Sequence, residues 1–146
     1  MRICEKYLYR SIKLYNMRFK ALAKFYIILI RVLCACEVSC EMNVGKNVQF
    51  VHNGLGVVIH PKTIIDDNVM IYQNVTIGGN TKIEDGKLTN IGAPHINHNT
   101  IIYSGAVILG PIEIGENCVV GANAVVTKSV PPNSTVIGVN EIRKKI

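Results

Sequence analysis

Four histidines, His52, His60, His95 and His98, are the side chains of this chain whose ordinary pKa suits proton transfer near neutral pH. A neutral imidazole can take the proton of an alcohol during attack and later return it to a leaving group. His52 opens a glycine-rich run, His52-Asn-Gly-Leu-Gly-Val-Val-Ile-His60-Pro, and on its own it reads as a histidine in a turn. The five cysteines are odd in number, and their spacing suggests no disulfide framework. Cys34, Cys36 and Cys40 form C-x-C-x-x-x-C, but a metal site normally needs a fourth ligand and a second Cys or His pair nearby. They read as small, reduced packing residues, so no metal is expected and the cytoplasm is the expected compartment.

The elements that must position these groups follow from a repeat. From about residue 37, aliphatic side chains recur every six residues, at Val38 and Val44, then at Ile59, Ile65, Ile71 and Ile77, with Phe50 filling the intervening place. They resume at Ile96, Ile102, Ile108, Ile114, Val120 and Val126. The fourth residue after each is usually small or β-branched, as at Val48, Thr63, Val75, Thr100, Ala106, Cys118 and Ala124. Asn or Asp marks the turns at Asn47, Asp67, Asn68, Asn99, Asn117 and Asn123. Each hexad is one short strand plus one turn, and three close a triangular coil, so the pattern predicts an all-β fold, a parallel β-helix, with a short N-terminal helical segment before it. Two interruptions stand out. Ile59 follows Phe50 by nine positions in place of six, with the extra residues expected near Gly56–Val58, and a polar stretch, Gly78–Asn90, reads as a projecting loop.

The chain of 146 residues has room for one domain. Its net charge of +6 is uneven: residues 1–36 hold eight Lys/Arg and one acid, Glu5. Interleaved Tyr7, Leu8, Ile12, Leu14, Phe19, Leu22 and Phe25 make this segment an amphipathic helix or helical pair, against a nucleic-acid arm. A cap on the domain is the first reading, and peripheral membrane contact through residues 1–36 is the second. Phe25–Cys36 is too short, and interrupted by Arg31, to span a bilayer, and no signal peptide is expected. The expected organisation is a helical segment over 1–36, then the β-helix over 37–146 with an inserted loop at 78–95.

The His52–Pro61 run, the stretch Ile71-Tyr-Gln-Asn-Val-Thr-Ile-Gly-Gly79, the stretch Gly105–Gly115 and the segment Val130-Pro-Pro-Asn-Ser-Thr-Val-Ile-Gly-Val139 together resemble bacterial serine O-acetyltransferases. The short, capsule-associated branch of these hexapeptide-repeat acyltransferases is the nearest match. The resemblance covers about residues 37–140 and implies a left-handed coil, a hand that the period alone does not fix. It implies an acyltransferase that moves an acetyl group from acetyl-CoA to a hydroxyl group. His52 matches the family's catalytic base. Glu37, 15 residues earlier, matches the Asp that orients it, with Glu41 as a substitute. Gly78, Gly79, Ser104, Gly105 and Ala122 match corners that receive the pantetheine arm, and Lys128 matches a position that meets a CoA phosphate. The resemblance also implies a homotrimer with sites between subunits.

The acceptor side departs from the cysteine-pathway pattern. Val51 stands where Asp precedes the catalytic His, and Gly92-Ala93 stand where an Arg-His pair is expected, with His95 two residues displaced. L-Serine remains the best single acceptor, with a sugar hydroxyl in surface polysaccharide synthesis as the rival. Arg143-Lys144-Lys145 before Ile146 lack the acidic neighbours of the family's docking tail. The histidines lack the H-x4-H spacing of γ-class carbonic anhydrases, which share the β-helix.

Overall fold

A computed structural model describes residues 2–144, with Asn90 and Ile91 described by backbone alone; Ile146 lies outside the described residues. The chain opens with two helices, α1 (Ile3–Asn16) and α2 (Lys20–Cys34). Glu5 in the first turn of α1 accepts the Arg2 N–H at 2.8 Å, supplying an orphan donor with a partner. Ala35, with φ 49°, ends α2 in the left-handed region. The helices lock together where the buried Ser11 hydroxyl donates to the Ala23 carbonyl at 2.8 Å.

Sixteen strands follow: β1 (Asn43–Val44), β2 (Gln49–Phe50), β3 (Val58–Ile59), β4 (Ile64–Ile65), β5 (Met70–Ile71), β6 (Thr76–Gly78), β7 (Asn80–Glu84), β8 (Lys87–Gly92), β9 (His95–Ile96), β10 (Ile101–Ile102), β11 (Val107–Leu109), β12 (Glu113–Ile114), β13 (Val119–Val120), β14 (Val125–Val126), β15 (Ser134–Ile137) and β16 (Glu141–Lys144). Fourteen of them build three faces, β1-β4-β9-β12, β2-β5-β10-β13-β15-β16 and β3-β6-β11-β14. Pairing between coils is parallel and in hexad register, Phe50 opposite Ile71, Ile71 opposite Ile102, Ile102 opposite Val120. The inward residues named from the repeat are buried, apart from half-buried Val44, and so are the small residues that follow them. This is the parallel β-helix the hexads predict.

Three expectations need correction. "All-β" is too narrow, because the helical segment is a pair of helices whose Cys4, Leu8 and Ile30 join the same buried cluster as Val38, Phe50 and Ile59. The projecting loop is a β-hairpin, β7 with β8, and Asp85 and Gly86, with φ 51° and 73°, form its turn. An Asp-Gly pair between apolar Ile83 and Leu88 favours such a turn, because its backbone twist matches that of the strands. The three extra residues after Phe50 lie earlier than expected. They fall within the four-residue turn Val51–Gly54, around His52, and the chain has re-entered β3 by Val58.

The helices hold the first coil through buried polar contacts. Glu5 accepts the Phe50 N–H at 2.9 Å. The Tyr9 hydroxyl donates to the Gly45 carbonyl at 2.7 Å and accepts from Val48 N–H at 3.1 Å. Glu5→Ala leaves the Phe50 donor buried without its partner, and such a group costs about 1–3 kcal/mol. Urea unfolding of this variant is expected to show a loss of that size, with the midpoint falling and the slope unchanged.

Candidate active site

Two corners of the triangle flank the face β3-β6-β11-β14, and the expected site residues divide between them. The corner entering this face carries His52 before β3, Gln73 and Asn74 before β6, Ser104 and Gly105 before β11, and Ala122 and Asn123 before β14. Backbone bonds stitch it together: Asn74 N–H to Leu55 O at 2.8 Å, Gly105 N–H to Gln73 O at 3.1 Å, Asn123 N–H to Ser104 O at 2.9 Å. The structure therefore places His52, Ser104, Gly105 and Ala122 in one column. Gly78, Gly79 and Lys128 lie at the corner leaving the face, after β6 and β14.

His52 has an unusual backbone. It and Asn53 both adopt left-handed φ of 56°, which turns the chain outward and leaves the imidazole exposed. A non-glycine residue held in this region marks a local constraint. The ring meets Tyr72 edge-on at 6.5 Å between centroids, and Tyr72 leans on Tyr103 at 5.0 Å. These tyrosines were not singled out from the sequence. Each directly follows an inward Ile, Ile71 or Ile102, at the same corner, and that shared position is the signal that finds them.

Glu37 lies on the same face, bridged in parallel to Val58, with its N–H on Val57 O at 2.8 Å. Its carboxylate pairs with Arg31 at 3.2 Å on the open surface. Among the described residues no hydrogen bond joins it to His52. Glu41 is engaged elsewhere, accepting from the Tyr15 hydroxyl at 3.2 Å. On the acceptor side Val51 is buried beneath the turn. His95 lies 3.1 Å from an Asp66 oxygen, so its ring is committed within the coil. His60 Nδ1 accepts the Lys62 N–H at 3.1 Å, and its ring lies beside Gly79.

Close packing accounts for several of the glycines. A Cβ on Gly105, which has φ +71°, would lie 2.1 Å from Asn123 Oδ1, and one on Gly79 would lie 2.8 Å from the Gly92 carbonyl. Among the described residues, neither the Ser104 nor the Ala122 N–H donates to another protein group. The column thus offers backbone donors beside the exposed imidazole, a cradle suited to an extended amide-bearing arm. The cysteines lie elsewhere, all buried and none in a disulfide. The hydrogen bond to Cys36, together with burial, pushes the Cys4 thiol far up, so it stays neutral packing.

Comparison with known proteins agrees with this geometry. The bacterial transferase hexapeptide family (six repeats) matches residues 93–128. A serine acetyltransferase from Staphylococcus aureus (strain Mu50 / ATCC 700699) is 42% identical over 127 residues, 87% of this chain and 57% of the relative. The chain thus spans a little over half the length of that relative. A serine acetyltransferase from Brucella abortus strain S19, solved in complex with coenzyme A, superposes with a TM-score of 0.81 at 30% identity, covering 94% of this chain and 52% of that one. A serine acetyltransferase in complex with cysteine gives 0.82 at 31%, covering 96% and 55%. The parallel coil and the hexapeptide match agree with each other. Over most of its length the chain is similar to serine acetyltransferases.

Gly105→Ala forces an L side chain into left-handed backbone and against Asn123, and the backbone conformation alone costs about 1–2 kcal/mol. A thermal melt lowered by several degrees is the expected result.

Proposed function

We propose that this chain is an acetyl-CoA-dependent O-acetyltransferase with L-serine as its best single acceptor. The observation that carries this reading is the exposed imidazole of His52 sharing one corner with Ser104, Gly105 and Ala122. Similarity to serine acetyltransferases, one solved with coenzyme A and one with cysteine, supports both the thioester cosubstrate and an amino acid acceptor.

Bound acetyl-CoA would supply the acyl carbon as a thioester. His52 takes the proton from the acceptor hydroxyl as its oxygen bonds to that carbon. The C–S bond breaks, and the leaving thiolate receives the proton from His52, so the ring ends neutral. Ser104 and Ala122 offer backbone N–H groups to the pantetheine amides, Gly105 gives the corner its left-handed turn against Asn123, and Tyr72 fixes the imidazole plane. Gly78 and Gly79 let the chain pack tightly at the far corner, where Lys128 presents a cation to a CoA phosphate. Glu37 takes the orienting role. An exposed pair such as Arg31–Glu37 is worth only about 0–1 kcal/mol, so acceptor binding can exchange it.

A sugar hydroxyl is the second reading. Buried Val51, Ala93 and the committed His95 leave few polar groups for a free amino acid. A site lacking those partners binds such an acceptor weakly. Left-handed winding and a homotrimer belong to the same proposal. The face β3-β6-β11-β14 turns Val58 and Leu109 outward, and Tyr103 and Val139 lie exposed at its borders, apolar surface that a threefold assembly would cover. Reduced, buried cysteines suit a cytoplasmic protein.

A thiol-release assay with acetyl-CoA against L-serine, homoserine, simple sugars and nucleotide sugars tests the reading. Turnover with one acceptor is expected, and His52→Ala is expected to reduce kcat about 10²–10⁴-fold. Near wild-type turnover in the variant would make His52 structural, and no release with any acceptor would remove the enzymatic reading. Light scattering is expected to give three times the chain mass; an active monomer would refute the shared site.

A further inference from the structure

Helix α2 uses one side to cover the coil and leaves the other bare. Ala23, Ile30 and Cys34 are buried. Around the outside of the helix, Leu22, Phe25, Ile28, Val32 and Leu33 are exposed, with Phe25 at 52%, Ile28 at 59% and Val32 at 74%. Their spacing covers a broad outer face, wider than the stripe a soluble surface helix normally shows to water. Lys20, Lys24 and Arg31 recur at i, i+4 and i+11, a single basic stripe along one flank of that face. On α1, Lys6, Arg10 and Lys13 are also exposed, and Arg10 lies 5.9 Å over the Tyr26 ring of α2, so basic groups edge the apolar face on the α1 side too.

We propose that this helical pair docks the protein on an anionic lipid surface, with the outer face of α2 in the acyl boundary and the lysines at headgroup level. The inference is independent of the acyl-transfer reading. No helix among the described residues is long and apolar enough to cross a membrane. At 15 residues α2 is about 22 Å long, which suits a helix lying in the interface plane. Charge selects the occupant. Residues 1–36 hold eight Lys/Arg against one acid, Glu5, and Glu5 is buried. A second copy would bring the same basic surface against this one, and like charges repel. An anionic bilayer supplies both halves of the match, apolar depth for Phe25 and Val32 and negative charge for the stripe.

Co-sedimentation of the full chain with vesicles decides the matter. Binding is expected to vesicles of phosphatidylcholine mixed with phosphatidylglycerol, little to phosphatidylcholine alone, and less at high salt. The double variant Phe25→Ser, Val32→Ser is expected to lose at least about tenfold in partitioning, since both side chains leave the acyl layer. Lys20→Gln with Lys24→Gln is expected to lose about fivefold for each charge removed. All four residues are exposed, so the melting temperature and solution activity of these variants should match wild type. Equal sedimentation with both vesicle types, or full binding by the Phe25→Ser, Val32→Ser protein, overturns the proposal. So does a larger assembly in solution that these two substitutions split, which would show that a second copy covers the face.

Discussion

The structure depends on one repeated contact, an aliphatic side chain stacked on its counterpart one coil away. Ile71, Ile102 and Val120 form one such column, and Ile77, Ile108 and Val126 another. Each is fully buried, which is worth about 1.5–3 kcal/mol for side chains of this size. Because strands of two or three residues form no stable sheet alone, the columns and the parallel ladders must form together. The result is a rigid post. Anything mounted on its corners inherits fixed positions without further support.

The corners carry their own cost. A coil that turns this tightly needs left-handed residues, and asparagine tolerates that region where most residues do not. Asn47, Asn68, Asn99, Asn117 and Asn133 all have φ between 55° and 60°. Their amides form a continuous ladder, each donating to the next at 3.1–3.2 Å. At the next corner, across the face β2-β5-β10-β13, the ladder is replaced by glycine over asparagine, Gly56 over Asn74 and Gly105 over Asn123. One corner is therefore sealed by side-chain bonds, whereas the other keeps backbone exposed beside His52. The exposed His52 stands where the ladder is missing.

The regular part of the molecule was open to reading from sequence because it follows a period. The inward Ile and Val positions and the small residues after them could be named, and all but Val44 are buried. The corner shared by His52, Ser104, Gly105 and Ala122 also follows from counting hexads. What breaks the period was harder to place. Any of the eight residues between Phe50 and Ile59 could form the bulge, and the left-handed pair His52-Asn53 decides it. Glu37 pairs with Arg31, a contact between the end of α2 and the first coil that no periodicity encodes. The Tyr72–Tyr103 contact depends on the hairpin leaving the coil register intact, since the two residues are far apart in sequence yet adjacent in space.

A coil of parallel strands has two open ends, and each end exposes unpaired backbone that invites association with other chains. The C-terminal end is closed by β16, which runs antiparallel to β15 and breaks the pattern that another coil would extend. The N-terminal end is closed by the helices, whose Glu5, Tyr9 and Arg2 take up backbone groups of residues 45–50 that would otherwise face solvent. Capping requires only the inner side of α2 and a few polar groups of α1. A cap with no other task would carry polar residues outward, as the turns of the coil do. The apolar outer face of α2 is therefore a feature that closing the coil leaves unexplained, and the basic residues beside it narrow what can cover it to something both apolar and anionic.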